Sequence, residues 1–192
     1  MILLTALAAG LLVGWGLSRW RGHPYRPPQL HTLWLAVVGF LPQLVVAYLP
    51  ATRTLVPQGL AAAAVVLSLA FFLAFVWINR RLPGMPVLAA GLLLNLAVML
   101  ANGGWMPIAP ETASLLTGRD VLGYTAIGDR FGQKDILLHP EDMRLGLLAD
   151  RWMLSAGSAY RVAFSLGDVV IAAGAFWLLA DPLERGTHSD TE

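Results

Sequence analysis

The chain contains no cysteine, which excludes a disulfide framework, a thiolate metal site, c-type haem attachment and a cysteine nucleophile. Charge is scarce: Asp, Glu, Lys and Arg make up 13% of the 192 residues, where soluble domains carry about 25%. The net charge is only +1 and no Lys/Arg cluster is interleaved with aromatics, which excludes a strongly basic nucleic-acid binder. Lysine is almost missing. Lys134 stands alone among arginines, a bias compatible with a GC-rich bacterial genome. There is no Gly-x-Ser-x-Gly, His-Glu-x-x-His, phosphate loop or dinucleotide fingerprint. No long apolar run carries a histidine, so no haem held between helices is expected. These absences leave no catalytic residue, no metal ligand and no cofactor to nominate.

What fills the chain instead is apolar: 57% of residues are hydrophobic. Five runs stand out, Met1 to Leu17, Thr32 to Leu49, Gly59 to Ile78, Val87 to Asn102 and Val162 to Ala180. Runs of about 20 residues match a bilayer core of about 30 Å. The expected fold is therefore all-α, a polytopic bundle of five transmembrane helices with an ordered extracytoplasmic segment between the fourth and fifth. Four spans with short loops occupy residues 1–102, the hydrophilic segment residues 103–160, the fifth span residues 161–182 and a polar tail residues 183–192, one domain in all. The first run is flanked by arginines after it rather than before it, which suits an uncleaved helix; Ala6-Leu-Ala8 offers a small-residue cleavage site as the alternative. Gly10, Gly14 and Gly16 thin one side of that helix, as close helix packing requires. Pro42 should kink the second span.

Basic residues orient the bundle. The first loop holds Arg19, Arg21 and Arg26 and the third holds Arg80 and Arg81, against Arg53 in the second and Arg185 in the tail. Odd loops inside place the N-terminus out and the C-terminus in, in a bacterial inner membrane. In the long segment, Pro110 to Gly118 and Pro140 to Trp152 each read as a helix with proline and acid at the start. Residues 118 to 139 read as irregular. Adjacent acids and bases there, among them Lys134-Asp135 and Asp150-Arg151, read as surface ion pairs.

The fourth run carries two amides, Asn95 and Asn102, two helical turns apart and so on one face, with Gly91 on the same stripe. An amide facing lipid has no partner, so that face should meet protein. Asp168 is the one ionisable residue inside a predicted span, a placement costing about 2.5–3.5 kcal/mol without a partner. It lies about 10 Å below the outer surface if the helix starts near Arg161. Asp168, Ser165, Asn95, Asn102 and Arg161 can thus form one polar cluster. Ser165-x-x-Asp168 before an apolar run is also a capping box, which would start the helix inside the membrane.

Several blocks together resemble a bacterial membrane-protein family known only as a domain of unknown function, DUF5317. They are Leu94-Asn95, Ala101-Asn-Gly-Gly-Trp-Met-Pro107 with Pro110-Glu111, Gly132-Gln-Lys-Asp-Ile136, Glu141-Asp-Met-Arg-Leu145, Asp150-Arg151 and Tyr160-Arg-Val-Ala-Phe-Ser-Leu-Gly-Asp-Val169. The resemblance implies a small multi-span inner-membrane protein and no assigned activity. The expected function is a non-enzymatic accessory, scaffold or assembly subunit, partnered by membrane lipid and by another membrane protein or a second copy, with no nucleic acid. The alternatives are a small transporter or channel lined by Asp168, Asn95 and Asn102, and an interfacial enzyme.

Overall fold

A computed structural model describes residues 2–48, 55–155 and 161–181. Within them are six α-helices: α1 (Ile2–Trp20), α2 (Leu33–Tyr48), α3 (Gln58–Ile78), α4 (Met85–Ala101), α5 (Pro110–Thr117) and α6 (Leu166–Ala180). Helices α1 and α3 are long and apolar enough to cross a membrane, at about 28 and 31 Å for 19 and 21 residues. Helices α2, α4 and α6 are equally apolar but shorter. The predicted polar tail lies outside the described residues, as does most of the loop after α2.

The five apolar helices pack in the spatial order α2, α3, α4, α6, α1. Backbone approach sets the tightest contacts. A Cβ on Gly91 of α4 would stand 2.7 Å from the carbonyl oxygen of Gly167 on α6, and one on Gly174 of α6 would stand 2.6 Å from the amide of Leu88. Only glycine admits such contact, and apolar helices then gain dispersion along their whole length. A Cβ on Gly10 would stand 2.6 Å from the Phe176 carbonyl oxygen, so α1 rides α6 in the same way, whereas Gly16 faces open space. The hydroxyl of Ser68 on α3 donates to the Gly39 carbonyl of α2. Helix α2 runs on through Pro42.

The segment after α4 corrects the all-α expectation. It forms a three-stranded sheet of β1 (Met106–Ile108), β3 (Asp135–Leu137) and β2 (Arg130–Phe131), in that order, and a hairpin of β4 (Trp152–Ser155) with β5 (Arg161–Phe164). Strand β1 pairs with β3 in parallel and β2 with β3 antiparallel. Glycine and proline deny this segment long helices, and its buried amides find ladder partners instead. The predicted helix at Pro110 is present as α5, with Pro110 at its first turn and left-handed Gly118 at its end. The predicted helix from Pro140 to Trp152 is not. Short 3-10 turns occupy Pro140–Asp142 and Gly146–Leu148, because both backbone groups of Arg144 bond the side chain of Asn102 and Trp152 joins a strand. The last apolar helix starts later than the apolar run suggests. Residues 161–164 are strand, and Ser165 caps α6.

Candidate functional site

The sequence Asn102-Gly-Gly-Trp-Met-Pro107 builds the floor of the site. Gly103 and Gly104 both take positive φ, at 73° and 89°, and turn the chain back over the end of α4. Trp105 and Met106 are then buried against the bundle, and β1 follows. The Met106 amide donates to the Lys134 carbonyl at 2.9 Å, and the Asp150 amide donates to the Pro107 carbonyl at 3.3 Å. One short strand thereby sets both Lys134-Asp135 and Asp150 above the junction of α4 and α6.

At that junction Ser165 and Asp168 form a full capping box. The Ser165 hydroxyl oxygen accepts from the Asp168 amide at 3.0 Å, and Asp168 Oδ2 accepts from the Ser165 amide at 3.2 Å. Asn95 reaches across from α4: its Nδ2 donates to Asp168 Oδ1 at 2.8 Å, and its Oδ1 accepts from the Ser165 hydroxyl at 2.8 Å. Lys134 completes the group. Its ammonium lies 3.4 Å from Asp168 Oδ2 and 3.3 Å from Asp150 Oδ2, so a single cation ties β3, the loop after the second 3-10 turn and α6 together.

The electrostatics are unequal. The Asp150 side chain is 3% exposed and that of Lys134 is 35% exposed. Burial opposes the charge of Lys134, but Asp150, Asp168 and Asp135 around it prevail and raise its pKa. Burial, with repulsion from Asp150 next, holds Asp135 well above the ordinary carboxylate value despite Lys134. Burial raises Asp150 too, and Lys134 pulls against it. Oδ1 of Asp135 and Oδ1 of Asp150 are buried without a donor.

Of the residues singled out in the sequence, Asn95, Ser165 and Asp168 come together. Asn102 does not join them. It caps α4 and grips a backbone segment instead, Nδ2 donating to the Val98 and Arg144 carbonyls and Oδ1 accepting from the Arg144 amide. Arg161 points away as well, donating to the Leu115 carbonyl near the C-terminus of α5 at 2.6 Å. Lys134, Asp135 and Asp150, expected as surface ion pairs, are instead the centre of the cluster, with Asp150 buried and Lys134 and Asp135 half-buried. Their signals were the lone lysine and the apolar run Ile136-Leu137-Leu138 directly after Asp135. Among the described residues no group of three or more His, Cys, Asp or Glu is placed to hold a metal ion.

The model of DUF5317, a family of unknown function, matches residues 28–180, and the chain belongs to that family. An uncharacterized protein of Thermotoga maritima is 31% identical over 144 residues, covering 75% of this chain and 71% of the relative. No solved structure matches.

Proposed function

We propose that this member of the DUF5317 family is a five-span protein of the bacterial inner membrane and serves as a non-enzymatic accessory or scaffold subunit. The N-terminus lies outside, the C-terminus inside, and the segment from Gly103 to the start of α6 caps the outer end. The shorter helices α4 and α6 fit this reading because the cap supplies protein over their outer ends, so neither has to traverse the full hydrocarbon core.

The observation that carries the reading is the locking of cap to bundle. Lys134 salt-bridges Asp168 at the start of α6 and Asp150 in the cap, directly above a backbone-to-backbone contact at Gly91 and Gly167. Every polar group of Asn95 and Ser165 that faces Asp168 is spent on a neighbour within the chain. Such a cluster fixes one arrangement of cap and helices, which is what a partner surface needs. The close approach of α4 to α6 counts against a path between them, and so against a transporter lined by Asp168 and Asn95.

Flux through proteoliposomes separates the two. The scaffold reading expects no proton or sodium flux above protein-free vesicles, for the parent and for Asp168→Asn alike. A flux that disappears in Asp168→Asn would establish the transporter and overturn the reading.

A further inference from the structure

The other end of the bundle carries a second feature, a cleft of about 690 Å³ between the strap after α1 and the turn joining α3 to α4. It is lined by Arg26, His31, Arg80 and Arg81, with Ile78 and Leu82 supplying an apolar wall. Among the described residues no carboxylate lines it. Asp181, at the C-cap of α6, is not among its walls, and no Asp or Glu precedes Glu111 in the sequence.

The walls are built rather than incidental. Asn79 at the end of α3 is 2% exposed, and its amide clamps the strap: Oδ1 accepts from the His31 amide at 2.8 Å and Nδ2 donates to the His31 carbonyl at 3.0 Å. The same device, an asparagine at a helix C-terminus gripping one residue's backbone, fixes Arg144 at the opposite end. Arg80 donates to the Trp77 carbonyl at 3.0 Å and stacks over the Trp77 ring at 4.9 Å. That holds its guanidinium in place with donors to spare. The volume falls within the range of about 300–1,000 Å³ typical of ligand pockets.

The surroundings say what kind of ligand reaches it. Trp20 at the end of α1, Trp34 at the start of α2, Trp77 at the end of α3 and Trp177 near the end of α6 are each more than half exposed at this end. A ring of exposed tryptophans marks the headgroup level of a bilayer. A cleft at that level with three guanidiniums, an imidazole and an apolar wall suits a phosphate diester continuing into an apolar chain. We infer that this cleft binds the phosphate-bearing headgroup of an anionic lipid on the inner face of the membrane. The inference rests on the five-span reading, and its test separates the two.

The test uses the full-length protein, first floated with phosphatidylcholine vesicles and then, in detergent, melted with added phosphatidylglycerol, phosphatidylcholine or glycerol phosphate. Flotation with neutral vesicles is expected; its failure would refute the membrane reading and the lipid assignment with it. Phosphatidylglycerol should raise the melting temperature more than phosphatidylcholine does. Arg26→Gln and Arg81→Gln should each weaken its apparent affinity by about fivefold, the worth of one basic group near an anionic surface. Arg119→Gln, the same change in the cap, should leave it unaltered. A protein that floats yet shows no preference for phosphatidylglycerol overturns the headgroup site alone. Equal stabilisation by glycerol phosphate would make a soluble phosphate the ligand and overturn the lipid assignment.

Discussion

Replacing Lys134 with methionine keeps the stem and removes the cation that, among the described residues, contacts both Asp150 and Asp168. Breaking a fully buried ion pair by deleting one partner costs about 3–5 kcal/mol, because the other charge stays buried and unpaired. Lys134 is 35% exposed, and solvent screening lowers that to about 2–3 kcal/mol. The loss should depend on pH, with a definite sign. Asp135 and Asp150 hold folded-state pKa values above the ordinary one. The folded chain therefore keeps protons that the unfolded chain has lost, and these groups subtract stability as pH rises from about 4 toward their folded values. Without Lys134 that upward pressure grows. The gap between Lys134→Met and the parent should be full at pH 7–8 and shrink toward about pH 4–5. Adding Asp150→Asn should recover part of the loss, with a coupling of about 0.5–3 kcal/mol. The assay is chemical or thermal unfolding in detergent, followed by tryptophan fluorescence. A variant within about 0.5 kcal/mol of the parent at neutral pH, the ordinary scatter of surface changes, would refute the claim that the ammonium holds the cap.

Three further outcomes follow from the same geometry. Asp168→Asn keeps one of the two acceptor oxygens, enough for either the Ser165 amide or Asn95, and loses the ion pair to Lys134, so it should lose less stability than Asp168→Leu, which removes cap, interhelical bond and ion pair and should cost about 2–3 kcal/mol; equal stability of the two in unfolding curves would deny the cluster. Gly10→Ala should force α1 off α6 and lower the folded yield, while Gly16→Ala, which meets nothing within 4 Å, should be silent; the check is monodispersity by size exclusion. In membrane-embedded protein, residues 118 to 139 should resist protease, because Val121, Ile136 and Leu137 are buried in the cap, and rapid cleavage throughout that stretch would contradict it.

How much of this was legible beforehand differs by region for physical reasons. The apolar helices announce themselves by composition, so the five runs map onto α1, α2, α3, α4 and α6. The amide at Asn95 and the capping box at Ser165 and Asp168 are local patterns with one cheap way to be satisfied, and the sequence shows both. The cap is poorly legible in sequence because its structure depends on contacts between distant residues. Arg144 cannot be helical while Asn102 holds its amide and carbonyl, and nothing near Arg144 in sequence says so. Lys134 and Asp150 looked like neighbours of their adjacent charges. Their real partners come from the parallel pairing of β1 with β3, a crossover that no short window reveals. Asn102 and Arg161 were placed with Asp168 on helical phase alone. Asn102 lies at the end of α4, and Arg161 sits in a strand, so that phase does not apply to either.

The proposed topology, five spans capped on the outer face, can be measured directly because the chain has no cysteine. Single cysteines at exposed Arg81 and Arg119 can be probed with a membrane-impermeant maleimide on intact and on permeabilised cells. Arg119→Cys should be labelled in intact cells and Arg81→Cys only after permeabilisation. Labelling of both positions from the same side of the membrane would contradict it.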